Sequence, residues 1–137
     1  MAQELNINIR KGNEMIVVGS WATSVARETS RHGMFPYTED FKTFSLEDVK
    51  KELTNYIDRH FNLQELQEEE ADCLKLAKGL ETNEAVERIL AELDNIREAR
   101  REMQEDKELY QSIVSLLETC IFIQKWNEGV EFYYTNC

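Results

Sequence analysis

Carboxylates at helical spacing are the residues of this chain whose types and positions could do chemistry. Glu65, Glu68, Glu69 and Asp72 follow one another at intervals of one to three residues. Residues three or four apart on a helix share a face, with Cβ atoms about 5–6 Å apart. Two interpretations fit: a solvated helix surface, or a row of negative charge that resembles the phosphates along a DNA strand.

A row of this kind would suit a partner whose nucleic-acid groove is lined with Lys and Arg. Like charges at i,i+4 destabilise a helix by about a few tenths of a kcal/mol per pair, although solubility alone could justify that cost. The carboxylates predicted to contact a basic partner are Glu65, Glu68, Glu69, Glu70, Asp72, Glu81, Glu84, Glu92, Asp94, Glu98, Glu102, Glu105 and Asp106.

The other reactive side chains lack the spacing of metal and catalytic sites. His32 and His60 have no His or Cys three or four positions away, and neither a Cys-x-x-Cys pair nor a glycine-rich phosphate loop occurs. Ser20 follows Gly19 without the Gly-x-Ser-x-Gly pattern, and a helix-capping role explains it. We therefore predict no metal, no cofactor and no enzymatic activity; an enzyme would need a cleft containing Ser20, His32 or His60.

The cysteines indicate a reducing environment rather than a disulfide scaffold. There are three, Cys73, Cys120 and Cys137, and their odd count and wide spacing are unlike those of small secreted domains. Cys73 and Cys120 fall on apolar helix faces, where free cysteine usually packs as a small hydrophobe.

Net charge is uneven along the 137 residues. The total is −11, of which residues 1–60 contribute −1 and residues 61–137 contribute −10. Such a field repels DNA and anionic membranes and attracts basic proteins, so we expect no direct nucleic-acid binding and no membrane. No apolar run reaches the roughly 18 residues of a membrane span, and residues 1–10 lack a signal-peptide core, so a cytoplasmic location is expected.

The N-terminal third predicts a β-hairpin followed by a short helix. Apolar residues alternate from Leu5 to Ile9, Gly12-Asn13 suits a type II′ turn, and residues 15–18 form the returning strand. Ser20 or Thr23 could cap a helix that ends at Gly33. The segment 34–44, with three Phe and the only proline, is interpreted as a packed loop.

Two capping patterns predict the next helices. Ser45 with Asp48 resembles a capping box before a helix to about His60, and Asn62 with Glu65 offers a second one before a helix that ends near residue 79. After Gly129, apolar and polar residues alternate to position 135, which predicts a closing strand able to join the hairpin in a three-stranded sheet.

A heptad pattern begins near Asn83 and covers more than five repeats. The first seam position of the successive heptads holds Val86, Leu93, Arg100, Lys107, Val114 and Ile121. The second seam position, three residues later, holds Ile89, Ile96, Met103, Tyr110, Leu117 and Gln124. One helix to Trp126 would be about 65 Å long, which exceeds a compact domain of this size. Either the helix breaks near residues 105–107 and folds back, which we favour, or it stays whole and dimerises.

These elements predict a single domain over residues 1–137. The fold class is α+β and helix-dominated, with a hairpin and a C-terminal strand in a small antiparallel sheet and a long, coiled-coil-like helical midsection. One proline and five glycines in the whole chain favour long helices over a many-turned β fold.

In size, acidity and lack of catalytic signatures, the chain resembles small phage-encoded inhibitors of host nucleic-acid machinery, such as anti-CRISPR proteins. The resemblance is one of general character over the whole chain and transfers no site. It implies a non-enzymatic protein that occludes the basic nucleic-acid groove of a host protein. The alternative is a scaffolding protein that forms a homodimer through the heptad seam, with Arg100 and Lys107 setting its register.

Overall fold

The computed structural model describes residues 2–137 and confirms an α+β, helix-dominated fold that is 60% helical. Residues 2–137 form four strands and four helices in the order β1 Leu5–Lys11, β2 Glu14–Trp21, α1 Thr23–Arg31, β3 Thr38–Thr43, α2 Leu46–His60, α3 Leu63–Leu76, α4 Asn83–Trp126 and β4 Val130–Asn136.

The four strands form one antiparallel sheet in the order β2-β1-β4-β3. The hairpin prediction is confirmed: Lys11 pairs with Glu14, and the two-residue turn has a positive φ of 66° at Gly12 alone. A type II′ turn has this combination, whereas type I′ needs positive φ at both positions. The predicted closing strand, β4, pairs with β1 along its whole length.

The interpretation of residues 34–44 as a loop is wrong for its second half, which forms β3. Only Thr38 of this strand is buried, so Glu39, Asp40 and Lys42 show no apolar alternation. An edge strand of this kind is defined by its backbone pairing with β4, which the sequence pattern does not reveal.

The chain divides into two compact units. Unit 1 comprises residues 1–56 and 109–137, and unit 2 comprises residues 57–108, so the boundaries fall within α2 and within α4. Whether these units amount to a single domain stays a prediction.

Unit 1 has a core to which both the sheet and the helices contribute. Leu5 and Ile7 of β1 are fully buried, as are Leu53 of α2 and Leu117 of α4. Asn136 of β4 links the sheet to α1 and to the segment that follows it. Its buried amide donates hydrogen bonds to the carbonyls of Ala26 and Phe35 at 2.9 and 2.8 Å. These contacts satisfy a polar group that would otherwise be costly to bury.

Unit 2 has a small core between α3 and the first part of α4. Cys73 of α3 is buried with Ile89 and Leu93 of α4, and Ala77, Leu80 and Ile96 pack around them. Burial raises the pKa of the Cys73 thiol, so it packs as an apolar group, as its sequence position predicted.

The predicted break of the long helix near residues 105–107 is wrong. α4 runs without interruption for 44 residues. No Gly or Pro occurs between residues 80 and 128. Arg101 binds both Glu98 and Glu105, which supports the helix on the N-terminal side of the proposed break. The length of α4 does not require a break, because different parts of the helix belong to different units.

The heptad seam is largely occupied within the chain. Ile89 and Leu93 are buried in unit 2, and Tyr110 and Leu117 are buried in unit 1. In unit 1 the buried positions that complete the pattern are Ile113 and Cys120, and the predicted Val114 and Ile121 are only half-buried. In each unit, α4 buries the side that packs against the other elements of that unit. The buried positions therefore do not follow one strict seven-residue repeat along the whole helix.

Two of the three predicted caps are confirmed. Ser45 Oγ accepts the backbone N–H of Asp48 at 3.3 Å, and Asn62 Oδ1 accepts that of Gln64 at 3.1 Å. The first cap is wrong, because Ala22 holds the N-cap position of α1 without a side-chain hydrogen bond. Ser20 lies within β2, and its hydroxyl donates to Glu4 instead.

Candidate partner-binding surface

All thirteen predicted contact carboxylates lie in unit 2. This unit has sixteen Asp or Glu against eight Lys or Arg, a net charge of −8, whereas unit 1 has eleven against eight and a net charge of −3. The charge asymmetry of the sequence is therefore an asymmetry between the two compact units.

Four of the predicted contact carboxylates, Glu65, Glu68, Glu69 and Asp72, lie on one side of α3, which we call the α3 face. All four are exposed, and they lie at i, i+3, i+4 and i+7 on the helix. Glu65 is in the first turn, where the positive end of the helix dipole favours a carboxylate. Glu68 accepts a hydrogen bond from Gln64 at 3.3 Å. Within residues 2–137 none of the four forms an ion pair, so their charge is available to a partner.

A second group of carboxylates follows the exposed side of α4. At about 100° per residue, Asp94, Glu98 and Glu102 lie on the side of the helix away from the buried Ile89 and Leu93. Glu84 and Glu105 fall on the same side. We call these five residues the α4 stripe.

Glu87 lies on the same side of α4 as the α4 stripe and was not predicted to contact a partner. It is exposed, and it follows Glu84 by three residues. The same helical spacing that selected the others would have found it once the buried side of α4 was known.

Glu70 was predicted to contact a partner, but the structure places it inside unit 2. Its side chain is only 15% exposed, and its two oxygens lie 3.3 Å from Arg97 Nε and 2.5 Å from Arg100 Nη1. The carboxylate thus joins α3 to α4 and positions the α3 face. Arg100, which the scaffolding alternative assigns to the register of a dimer, pairs with Glu70 within this chain.

Three further predicted residues are paired within α4. Arg88 lies 3.7 Å from Glu84, and Arg101 binds both Glu98 and Glu105. The hydrogen bond from Arg101 lowers the pKa of Glu98, and these bonds raise the pKa of Arg101. The predicted carboxylates with no ion pair among the described residues are Glu65, Glu68, Glu69, Asp72, Glu81, Glu92, Asp94, Glu102 and Asp106.

A shallow cavity of about 420 Å³ lies on the surface of unit 2, between α3 and α4. Three arginines line it, but each is bound to Glu70 or to carboxylates of the α4 stripe. The cavity therefore has no strong excess of positive charge. Its lining residues are Leu63, Gln67, Arg97, Arg100, Arg101, Gln104, Glu105 and Glu108.

The side chains considered for catalysis bind other groups. His32 Nε2 lies 3.3 Å from Glu28, and its ring lies 5.0 Å from the ring of Tyr56. Ser20 contacts Glu4. His60 is exposed in the last turn of α2. Across residues 2–137, no three His, Cys, Asp or Glu side chains converge in a way that could hold a metal ion.

No helix within residues 2–137 is both long and apolar enough to cross a membrane. Comparison with protein-family models, with curated proteins and with solved structures finds no match for this chain.

Proposed function

We propose that the protein is a non-enzymatic binding module whose acidic unit occludes the basic nucleic-acid groove of another protein. The observation that carries the proposal is the concentration of exposed, unpaired carboxylates in unit 2, with four of them on the α3 face. Carboxylates at this spacing complement rows of Lys and Arg, and their long-range field would speed association.

The small core of unit 2 supports this role. Among residues 2–137, four buried hydrophobic residues lie in unit 2, against seventeen in unit 1. Most of its surface is therefore free to carry charge, and the Glu70–Arg97–Arg100 pairs add to the small apolar core that holds α3 against α4. In general character this is the mode of phage-encoded inhibitors of the anti-CRISPR kind.

The scaffolding alternative, dimerisation through the heptad seam, has less support. A parallel or antiparallel coiled coil needs its seam residues to insert into a second helix. Ile89, Leu93, Tyr110 and Leu117 are already buried within this chain. A seam dimer would have to expose them from their own units first.

The proposal is tested by capture from a bacterial lysate on the immobilised chain, at low and high salt. The test variant carries Glu65→Lys, Glu68→Lys, Glu69→Lys and Asp72→Lys. The matched control reverses the same number of exposed carboxylates in unit 1: Glu14, Glu39, Asp40 and Glu52. Circular dichroism checks both folds, and a neutral variant with Gln or Asn at the four α3 positions covers any loss of helix in the reversed one.

We expect one nucleic-acid-binding protein to be captured by the wild type and the control, at low salt more than at high salt, and to be lost with both α3 variants. In a mobility-shift assay the wild-type chain should displace nucleic acid from that protein. Capture that survives the α3 changes, or that the control abolishes equally, would overturn the proposal. Asp94→Lys with Glu102→Lys then tells whether the α4 stripe contributes.

A further inference from the structure

The two edges of the sheet differ in how they are protected. β2 and β3 are the end strands, so each leaves its outer backbone N–H and C=O groups without a strand partner among residues 2–137. Unpaired strand edges are templates for pairing with another chain unless charge, proline, bulges or short length prevents it.

The β3 edge has these protections. Its pairing with β4 is irregular between Thr38 and Lys42, so the strand offers no regular ladder. The residues in this interval include Glu39 and Asp40, both exposed. A strand approaching this edge would meet charge and broken register together.

The β2 edge has few protections. Its eight residues include no Lys, Arg or Pro, and its one charge is Glu14 at the hairpin end. Ile16 and Val17 are each 56% exposed and Val18 is 38% exposed, three consecutive apolar residues. The single irregularity is a bulge: Val17 pairs with Asn8 and Gly19 with Ile7, which leaves Val18 without a partner on β1.

We propose that the outer edge of β2 pairs antiparallel with β2 of a second copy, joining two four-stranded sheets into one sheet of eight strands. An antiparallel arrangement centred on Val17 is isologous, so each copy uses the same residues. It places Ile16 opposite Val18 of the other copy and Glu14 opposite Ser20. The only charged side chains of the two strands therefore do not face each other.

The charge of the two units makes this edge a better meeting place for two copies than the surface of unit 2. β2 belongs to unit 1, which has a net charge of −3 against −8 for unit 2. Two copies that meet through unit 1 encounter less repulsion than copies that meet through unit 2. β2 has a single charged residue, Glu14 at its end, so it offers little charge pattern with which to select a different protein, whereas the antiparallel arrangement makes it complementary to itself.

The test is the molar mass of the full chain in solution, measured by light scattering after size exclusion over a range of concentrations. We expect twice the 16.1 kDa of one chain, falling to one chain at low concentration. Val17→Lys should give the mass of a single chain at every concentration, because it places a charge at the centre of the interface. The matched control is Phe41→Lys on β3, at 54% exposure, which should leave the dimer intact.

A cross-link locates the contact. In a Cys137→Ser background, which removes the exposed cysteine, Val17→Cys should form an intermolecular disulfide on mild oxidation because the symmetric centre brings the two copies together. Phe41→Cys in the same background should not. A single-chain mass at all concentrations would overturn the proposal. A dimer that survives Val17→Lys but is lost with Leu90→Lys, an exposed position of α4, would also overturn it and place the contact on α4.

Discussion

Unit 1 and unit 2 are stabilised by different means. Of the twenty-one buried hydrophobic residues in the described part of the chain, seventeen lie in unit 1, on both strands and helices, and four lie in unit 2. Unit 2 adds ion pairs, of which the least exposed is formed by Glu70 with Arg97 and Arg100. Apolar burial contributes more free energy than partly exposed ion pairs. The acidic unit is therefore expected to be the less stable of the two and the more sensitive to salt.

The largest expected effect is the difference between two matched core truncations. Leu117→Ala in unit 1 removes a fully buried side chain and should destabilise the protein by about 3–5 kcal/mol. Leu93→Ala in unit 2 should cost about 2 kcal/mol, because its small core can collapse around the change. Urea denaturation followed by circular dichroism measures both. Equal losses would contradict the comparison.

Amide hydrogen exchange gives an independent measure of the same comparison. Backbone amides of α3 should exchange faster than those of β1, since opening a small core has a lower free energy than opening the sheet. Slower exchange in α3 than in β1 would mean that unit 2 is the more stable.

The next largest effect is expected at Gly19 of unit 1, where neighbouring side chains leave no room for a Cβ atom. A Cβ at Gly19 would lie 2.5 Å from Leu116 Cδ2 and 2.6 Å from the Trp21 indole, whose Nε1 donates to Ser112 at 3.0 Å. Gly19→Ala should therefore destabilise by about 1–3 kcal/mol through overpacking. Adding Leu116→Ala should recover part of the loss, because it frees one of the two contacts. Thermal unfolding of the three variants tests this, and no recovery would place the strain at Trp21 alone.

The ion pairs of unit 2 should show a smaller, salt-dependent coupling. A double-mutant cycle with Glu70→Gln and Arg100→Gln is expected to give about 1 kcal/mol, because Glu70 is only 15% exposed. The same cycle on the exposed Glu98 and Arg101 should give less and should vanish sooner with added salt. Equal coupling for both pairs would show that the position of Glu70 gives no advantage.

The smallest expected effect is a pH dependence in unit 1. The hydrogen bond from Arg31 is the largest cause that lowers the pKa of Glu28 from its usual 4.5. Burial opposes this shift, and the hydrogen bond from Tyr56 lowers the pKa further. A carboxyl with a lowered folded-state pKa stabilises the fold above its unfolded pKa, and this contribution disappears as pH falls through the folded value. Glu28→Gln should lose less stability than the wild type between about pH 5 and the acid limit. Parallel stability curves for the two proteins would contradict this.

Much of the local structure could be predicted from single residues. The turn at Gly12, the caps at Ser45 and Asn62, and the closing strand all follow from short patterns whose physical cause is local. β3 could not be predicted, because its exposed residues show no periodicity and only pairing with β4 defines it. The continuity of α4 follows locally from the absence of any helix breaker, whereas the length limit that predicts a break holds only for one compact body.

The candidate surface shows the same division. Sequence by itself determined which residues are acidic, that they cluster between residues 65 and 106, and that helical spacing puts them on faces, because charge and periodicity are properties of the chain. Only the tertiary structure decided that Glu70 faces inward to two arginines and that the heptad residues are buried by their own units. It also decided that β2 lies at an open edge. These outcomes depend on which elements pack together, and pairing between distant segments is not encoded in local spacing.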